Sequence, residues 1–336
     1  MTRKLFEPTP EMNDLLRQGG SLAREESLSA TAELAKALEL PLRKGVMSGD
    51  ILDGIYEPIR LEPGATTEFP LDFIAPGTER EFVAYTIPNH GRIPERHVEG
   101  DYVMVPTFDI GASIDYLLKY ARDARWDIVG RAMDVMQSQF TKKMNDDGWH
   151  TILAAASNRN ICVYDPDATD GTFSKRLVSM MKTIMRRNGG GNSSSINRGA
   201  LTDLYISPEA LEDIRNWGVD EVDPTTRHEL INREGGLLNS IFQVNLHDID
   251  ELGEGQEYQN YLLNDVTPAQ TLPFTKKEFV VALDLRNNDS FVMPVRQEVQ
   301  IFEDDTLHRQ RRAGFYGWSE HGFAALDNRR VLLGAF

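Results

Sequence analysis

The chain has 336 residues, 40% of them hydrophobic, and a formal net charge of −16 at pH 7. This length is enough for two domains of ordinary size, and the hydrophobic content excludes a wholly disordered chain. The acidic balance argues against a general nucleic-acid binder, which needs a basic face, and the single cysteine, Cys162, excludes an intrachain disulfide.

The N-terminal part of the sequence predicts a helical arm and no targeting segment. Residues 1–8 contain no apolar signal region, and no run in the chain approaches the roughly 20 apolar residues of a membrane span. Apolar residues at helical spacing predict an arm over residues 11–40, which Pro41 is expected to end. We therefore expect no membrane partner and synthesis in the cytoplasm.

Residues 66–112 predict strands rather than helices. Two runs with apolar residues flank the turn signal Pro76-Gly77, and a second irregular tip follows at residues 89–94. The prolines restrict these strands to edge positions, and the segment has few large apolar residues to bury. We therefore expect a hairpin arm that packs on a neighbouring molecule.

One long helix is predicted from about Ile114 to about Ala156, which at 1.5 Å per residue would span about 60 Å. Two apolar rows at steps of three and four run along it. The first row is Ala121, Ala124, Ile128, Ala132 and Val135, and the second is Val129, Met133, Met136, Phe140 and Met144. Any bend is expected at Gly130 or Gly148. A helix of this length exceeds a compact core, which indicates an extended, architectural molecule; the alternative is a long core helix of an enzyme.

The C-terminal half predicts a compact α+β region. Ser174 is placed to cap an amphipathic helix, and a flexible Gly/Ser segment follows at residues 188–195. After a strand at residues 203–206, the run Ser207-Pro208-Glu209 supplies an N-cap, a proline at the first helical position and an acid in the first turn. A short helix is predicted at residues 225–232, and later strands are predicted at residues 241–246, 279–285, 291–302 and 322–333.

No motif in the sequence forms a convincing active site. The glycine run at residues 189–191 lacks the Gly-Lys-Ser/Thr of a phosphate loop, and His150 has no accompanying metal signature. Cys162 has no signature of a nucleophile, and no serine lies in a Gly-x-Ser-x-Gly elbow. We therefore predict no catalytic residue, no cofactor and no metal site.

Two charged clusters near the C-terminus each allow two interpretations. The first consists of Glu303, Asp304, Asp305 and His308. It either collects a divalent cation, which would relieve the repulsion among the acids, or forms a solvated turn at the end of a strand. The second consists of Arg309, Arg311 and Arg312. It either binds phosphate or pairs with acidic residues of its own or a neighbouring subunit.

Two stretches of sequence, taken with the order of the predicted elements, carry a family resemblance. Residues 204–211, Leu-Tyr-Ile-Ser-Pro-Glu-Ala-Leu, form an entry from strand to helix. In residues 317–327, the pair Gly317-Trp318 leads into an apolar strand. These features resemble the axial domain and the closing strand of the major capsid proteins of tailed bacteriophages. The resemblance covers most of the chain and implies an α+β fold of the Hong Kong 97 phage type.

The resemblance implies five successive parts of the chain. They are an N-terminal arm at residues 1–60, an extended β-hairpin loop at 61–112, a peripheral domain at 113–197 with a spine helix at 114–156, an axial domain at 198–290, and return strands of both domains at 291–336.

The resemblance also implies a structural role and not an enzyme. The subunit would assemble with copies of itself into the hexamers and pentamers of an icosahedral head, located in the virion. Further expected partners are a separate scaffolding protein, a portal, a decoration protein and packaged double-stranded DNA, bound without sequence specificity. Candidate contacts between subunits are Phe69, Phe73, Pro76, Gly77, Glu79, Arg80, Arg92, Arg96, Arg309, Arg311 and Arg312.

The chain departs from the family pattern in two ways. Some members join their subunits through an isopeptide bond between a lysine of the extended loop and an asparagine of another subunit, but no lysine lies between Lys44 and Lys119. We therefore expect no covalent cross-links. Some relatives carry a long N-terminal scaffolding segment that a protease removes. The arm here spans only about 60 residues, so we expect an uncleaved subunit.

Two alternatives stay open on the sequence. The first is the shell protein of an encapsulin-type nanocompartment, which shares the fold but tends to be shorter and holds cargo enzymes. The second, from a different class, is a metal-dependent enzyme that uses Glu303, Asp304, Asp305 and His308.

Overall fold

The structure is a computed structural model. It describes residues 10–21, 23–48, 52, 54–62, 64–70, 102–123, 125–158, 161–188, 199–217, 240–266, 278–286 and 290–336. The helices are α1 Pro10–Gly19, α2 Arg24–Ser48, α3 Leu118–Arg122, α4 Trp126–Asn158, α5 Lys175–Asn188, α6 Pro208–Asn216 and α7 Glu257–Tyr261. The strands are β1 Glu57–Arg60, β2 Glu68–Pro70, β3 Tyr102–Met104, β4 Phe108–Leu117, β5 Cys162–Tyr164, β6 Asp203–Ile206, β7 Ser240–Ile241, β8 Val244–Asp248, β9 Phe279–Leu283, β10 Phe291–Glu303, β11 Arg312–His321, β12 Ala324–Ala325 and β13 Val331–Ala335.

The chain divides into two compact units. The first unit comprises Met1–Thr67, Met104–Gly148 and Met293–Phe323. The second unit comprises Glu68–Val103, Trp149–Val292 and Ala324–Phe336. None of the helices in the described part of the chain is both long and apolar enough to cross a membrane.

The first unit is built on an antiparallel sheet that α4 covers on one face. The strand order is β1-β10-β11-β4. A Cβ at Gly317 of β11 would lie 2.6 Å from the Met136 Cε atom and 3.4 Å from the Phe140 ring, so this glycine allows the helix to approach the sheet closely. The buried core comprises Leu16, Leu34, Leu38 and Leu42 of α1 and α2, Val129, Met133, Met136, Phe140 and Met144 of α4, and Ile110, Val299, Ile301 and Phe315 of the sheet.

The predicted bounds of the long helix are wrong at its start. Residues 108–117 form β4, and the helix α4 begins only at Trp126 and spans 33 residues, about 50 Å. A strand is more stable than a helix at these residues because β4 pairs with β11 along its whole length and buries Ile110 and Tyr116 in the core. The second apolar row predicted for the helix is buried, whereas Val135 of the first row is 51% exposed.

The N-terminal arm also differs from the prediction at its end. Two helices form it, and α2 continues through Pro41 to Ser48. Leu42, the residue after the proline, is fully buried in the core of the first unit. This burial offsets the backbone hydrogen bond that a proline removes from a helix.

The second unit holds a six-stranded mixed sheet in the order β5-β13-β9-β6-β8-β7. On one face, α5 and α6 bury Leu177, Met181 and Ile214 in the core. On the other face, the ring of Trp149 packs at 4.9 Å from the ring of Tyr205. The other large residues of this core, in the second unit, are Val163, Phe173, Met185, Leu204, Ile206, Trp217, Ile241, Val244, Val280, Leu332 and Phe336.

The two predicted helix caps in this unit are confirmed. The Oγ atom of Ser207 accepts a hydrogen bond from the Ala210 N–H at 3.2 Å, and α6 starts at Pro208. The Oγ atom of Ser174 accepts from the Leu177 N–H at 3.1 Å at the start of α5. Both caps supply acceptors for backbone donors that the first helical turn leaves unpaired.

The predicted strand at residues 322–333 is wrong. These residues hold β12, a 3₁₀ turn at Asn328–Arg330 and the start of β13. The carboxylate of Asp327 accepts a hydrogen bond from the Arg329 N–H at 3.0 Å, and this cap stabilises the turn that interrupts the strand.

Part of the predicted hairpin loop is present as a short two-stranded sheet of β2 and β3. The loop between these strands, residues 71–101, lies outside the described residues, as do the glycine run at 189–191 and the predicted helix at 225–232. The five predicted parts of the chain stay predictions.

Candidate functional site

The outer face of the sheet in the first unit carries exposed aromatic side chains. Along β11, Phe315 points into the core, whereas Tyr316 and Trp318 on either side of Gly317 point outward and are 43% and 44% exposed. Alternation is the normal geometry of a strand, because successive side chains point to opposite faces of the sheet. The face turned away from α4 is therefore partly apolar.

Phe302 of β10 joins these two residues in one group, which we call the aromatic patch (Phe302, Tyr316 and Trp318). The rings of Phe302 and Tyr316 are stacked with centroids 5.5 Å apart, and the rings of Phe302 and Trp318 meet edge to face at 6.3 Å. These separations lie within the range of favourable aromatic pairs. The rings hold one another in place, so the patch is preorganised.

Small residues of β4 leave the aromatic patch open on one side. Ser113 lies opposite Tyr316 in the register of β4 and β11, and Gly111 lies opposite Trp318. Neither residue has a side chain large enough to cover a neighbouring ring. Because β4 is the outermost strand of the order β1-β10-β11-β4, the patch ends at the edge of the sheet.

Charged and polar side chains surround the patch. Arg312 donates a hydrogen bond from Nη1 to Asp115 Oδ2 at 2.8 Å, and Thr107 donates to Glu320 Oε1 at 2.5 Å. Glu320 also lies 3.7 Å from the Nε atom of Arg296. An aromatic centre with a polar rim is the usual composition of a protein–protein interface.

Burial favours the neutral forms of two titratable residues on the inward side of this sheet. Burial raises the pKa of Tyr116 above its usual value. Burial lowers the pKa of His321, and nearby Lys143 lowers it further, although the charge of Asp147 acts in the opposite direction.

The predicted contact residues at the C-terminal end lie close to the aromatic patch in the sequence. Arg309 belongs to the 3₁₀ turn before β11, Arg311 takes a left-handed conformation with φ of 57°, and Arg312 begins the strand. Arg312 pairs with Asp115 of its own chain, which matches one of the two expected kinds of partner. Arg309 and Arg311 are exposed.

The other eight predicted contacts belong to the predicted extended loop at residues 61–112. Phe69 is half-buried in β2. Phe73, Pro76, Gly77, Glu79, Arg80, Arg92 and Arg96 lie outside the described residues. All eleven residues stay predictions as contacts between subunits.

The acidic cluster near the C-terminus forms a turn. Asp304 Oδ1 accepts hydrogen bonds from the Thr306 N–H at 3.0 Å and from the Thr306 hydroxyl at 2.6 Å. Within the described residues, no three His, Cys, Asp or Glu side chains converge as a metal site would require. Glu303, Asp304, Asp305 and His308 are all described, so the structure does not bring them together as metal ligands.

The aromatic patch was not predicted from the sequence. Trp318 was assigned only to a closing strand, and Phe302 and Tyr316 were given no role. The signal that could have identified them is the alternation of Phe315 with its two aromatic neighbours, Tyr316 and, two residues further, Trp318. Two faces of one strand that are both aromatic indicate a core on one side and a contact surface on the other.

Comparisons with known proteins show what this fold is similar to. No family model and no curated protein matches the sequence. The capsid asymmetric unit of cyanophage Pam1 matches with a TM-score of 0.58 at 13% identity, over 84% of this chain and 88% of that chain. A structure from Microbacterium phage Oxtober96 matches with a TM-score of 0.57 at 10% identity, over 85% of this chain and 90% of that chain. The head structure of Helicobacter pylori bacteriophage KHP40 matches with a TM-score of 0.54 at 9% identity, over 85% of this chain and 90% of that chain. At these identities the likeness shows the fold, and the expectation of a phage capsid fold is confirmed.

Proposed function

We propose that this chain is the major capsid protein of a tailed phage. Copies of it assemble into the hexamers and pentamers of an icosahedral head, and the mature protein is located in the virion. The similarity in fold to the capsid of cyanophage Pam1 supports this proposal, since it extends over 84% of the chain. The role is structural, and no catalytic step is assigned to any residue.

The aromatic patch is the observation that carries the proposal. Tyr316 and Trp318 remain more than two-fifths exposed, and no described residue of the chain covers them. Contiguous exposed aromatic surface on a soluble protein usually marks a contact with another molecule. In a chain with a capsid fold, that molecule is most simply a second copy of the subunit.

The other partners follow from the same proposal. A separate scaffolding protein, a portal and a decoration protein act with the shell, and double-stranded DNA is enclosed without sequence specificity. The net charge of −16 suits a container whose surface does not hold the DNA backbone tightly. No observation on the described residues favours the nanocompartment alternative over the phage head.

Electron microscopy of the purified chain tests this function. The wild-type protein should form closed shells or capsomer-sized rings as its concentration rises. A Tyr316→Ser/Trp318→Ser variant should remain unassembled, because removing a central aromatic contact costs about 2 kcal/mol or more per residue. Its thermal unfolding should stay cooperative with a melting temperature only a few degrees lower, because the lost contacts with Phe302 lie on the exposed face and not in the core.

A matched control separates a specific effect from a general loss of surface hydrophobicity. Val135 of α4 is 51% exposed, and Val135→Ser should assemble as the wild type does. Wild-type protein that remains monomeric at every concentration, or a double serine variant that still forms shells, would contradict the proposal.

A further inference from the structure

Charges in the second unit are segregated along the sequence. Between Asp170 and Asp203 there are six basic residues and no acid. Between Arg233 and Lys276 there are seven acids and no lysine or arginine. Such single-sign segments are unusual in a chain that otherwise mixes both signs, and they predict two surfaces of opposite charge on one compact unit.

The basic segment includes the exposed side of α5. Its apolar side is buried in the core through Leu177, Val178, Met181 and Met185. Arg176 forms ion pairs with Asp165 and Asp167 of its own chain, which neutralise the start of the helix. At the other end, Arg186 and Arg187 are exposed and have no acidic partner among the residues that the structure describes. We call Arg186 and Arg187 the basic end of α5.

Glu209, Glu212 and Asp213 lie on one side of α6 at steps of three and four, and Glu254 of the acidic segment acts with Glu209 and Asp213 on the same buried carboxyl, Glu278. We call Glu209, Glu212, Asp213 and Glu254 the acidic face. A Cβ at Gly253 would lie 2.9 Å from the carboxylate of Glu209, which places the turn before Glu254 directly beside α6.

The acids of this face also act on Glu278. Burial raises the pKa of Glu278, and the nearby charges of Glu209, Glu254 and Asp213 raise it further, against a hydrogen bond from the Ser207 hydroxyl. The carboxylates are therefore close enough to repel one another, and a cation beside them would relieve that repulsion.

The basic end of α5 and the acidic face lie at opposite ends of the same helix. The N–H of Phe173, just before α5, donates a hydrogen bond to Asp213 Oδ2 at 2.7 Å. From Lys175 to Arg186 the helix rises by about 16 Å, and salt screens exposed charges beyond about 8 Å. Arg186 and Arg187 are therefore too far from the acidic face of their own unit to neutralise it.

We propose that the basic end of α5 binds the acidic face of a second copy of the chain. The inference rests on the proposed capsid function, because it names the electrostatic contact between neighbouring subunits. The two surfaces differ, so the contact is heterologous and repeats from one copy to the next. Heterologous contacts close into rings when the rotation between copies allows it, and a ring is the arrangement that a hexamer or pentamer needs.

The second copy fits this surface better than a nucleic acid does. Each second unit carries both the positive end and its negative complement, whereas the chain as a whole has a charge of −16 and repels a phosphate backbone. Exposed charge pairs contribute more to orientation and rate of association than to affinity. The contact should therefore fix the direction of the ring and weaken as salt rises.

A charge-swap experiment tests the contact. Arg186→Glu/Arg187→Glu reverses the basic end, and Glu212→Lys/Glu254→Lys reverses part of the acidic face. Each variant alone should raise the concentration needed for self-association at least about tenfold in sedimentation velocity, since like charges then meet. The chain that carries all four substitutions should assemble as the wild type does, because complementarity is restored with the signs exchanged.

Two controls accompany the swap. Lys36→Glu/Lys142→Glu changes the net charge by the same amount as the basic reversal but lies in the first unit, and it should associate as the wild type does. If a reversal lowers the melting temperature, the neutral variant Arg186→Gln/Arg187→Gln replaces it. That variant should associate more weakly at low salt and show a smaller dependence on sodium chloride than the wild type.

The outcomes distinguish this contact from the proposed function. If the wild type forms shells and the basic reversal forms them equally well, the contact is wrong and the capsid function stands. A second outcome is that the chain with all four substitutions does not regain self-association, while the basic reversal loses binding to a DNA duplex in a gel-shift assay. In that case the surface binds nucleic acid and the proposed contact is wrong. A wild-type chain without any self-association overturns both.

Discussion

At the scale of single residues, the second unit depends on one buried carboxylate. Asp284 is fully buried and accepts hydrogen bonds from Arg330 Nη1 at 2.6 Å, from Arg286 Nη2 at 2.9 Å and from the Ala200 N–H at 2.8 Å. Burial alone would raise the pKa of Asp284. The hydrogen bonds from Arg286 and Ala200 and the charge of Arg330 outweigh burial and hold this pKa below its usual value. Asp284 thus joins the chain before β6 to the chain before β13.

Asp284→Asn should destabilise the second unit by about 3 kcal/mol, because it leaves the charge of Arg330 buried without its main partner. Thermal and urea unfolding measure this change. The control is Asp134→Asn on the exposed side of α4, which should unfold as the wild type does. An unchanged midpoint for Asp284→Asn would contradict the assignment.

The same carboxylate predicts a pH dependence. Its pKa is lower in the folded than in the unfolded chain, so its stabilisation is fully present above the unfolded value of about 4 and is lost as the pH falls through the folded value. Stability of the wild type should therefore decrease below about pH 4, and the slope should be smaller in Asp284→Asn.

At the scale of elements, a glycine of α4 allows another segment of the chain to pack closely against the helix. The helix is continuous through both positions at which a bend was expected. At Gly148 a Cβ would lie 2.3 Å from Leu52 Cδ1, and the Gly148 carbonyl accepts a hydrogen bond from the Tyr56 hydroxyl at 2.9 Å. Gly148 therefore provides space for the segment that contains Leu52 and Tyr56.

Gly148→Ala and Gly130→Ala should have opposite effects on stability. Alanine is favoured over glycine in a helix by about 1 kcal/mol, and at Gly130 the nearest atom to a new Cβ is Trp126 Nε1 at 3.5 Å, so the methyl group fits. At Gly148 the clash with buried Leu52 should outweigh the gain and cost about 1–3 kcal/mol in total. Denaturant unfolding of both variants checks this, and a stabilised Gly148→Ala would show that the Leu52 segment packs elsewhere.

Local signals in the sequence were sufficient for some elements. The cap at Ser207 and the proline after it determine where α6 starts, because both act within one helical turn. The second apolar row of α4 was also predictable, since a spacing of three and four residues needs no knowledge of the partner. Elements of this kind are specified by residues that are close in the sequence.

The strand β4 and the aromatic patch could not be predicted in this way. Small residues such as Gly111 and Ser113 obscure the alternation of β4, and only its pairing with β11 reveals it. The exposure of Tyr316 and Trp318 depends on which face of the sheet α4 covers, which is a tertiary property. A sequence pattern can show that a strand has two aromatic faces, but not which one the rest of the chain leaves open.

At the scale of the whole molecule, we predict that non-covalent contacts hold the proposed shell together. No lysine occurs between Lys44 and Lys119, so the predicted extended loop lacks the nucleophile for an isopeptide bond. The subunits must then associate through apolar surfaces such as the aromatic patch and through complementary charges. Many weak contacts can still give a stable shell, because each copy makes several of them.

Denaturing electrophoresis of boiled, assembled particles should therefore give a single monomer band. Treatment of the same particles with glutaraldehyde before boiling should give a ladder, which shows that the subunits are adjacent and that the gel resolves their multimers. A ladder without glutaraldehyde would demonstrate a covalent bond between subunits and refute the prediction.

The position of β13 in its sheet has a consequence for biosynthesis. β13 lies between β5 and β9, and residue Leu333 pairs with Cys162, so strands far apart in the sequence must meet. The ribosome adds about 5–20 residues per second, which means that β5 waits roughly 10–30 s for its partner to be made. Until then β5 lacks its only neighbour in the sheet, because β13 is the strand that separates it from β9. The sheet of the second unit therefore becomes continuous from β5 to β9 only after β13 has been made.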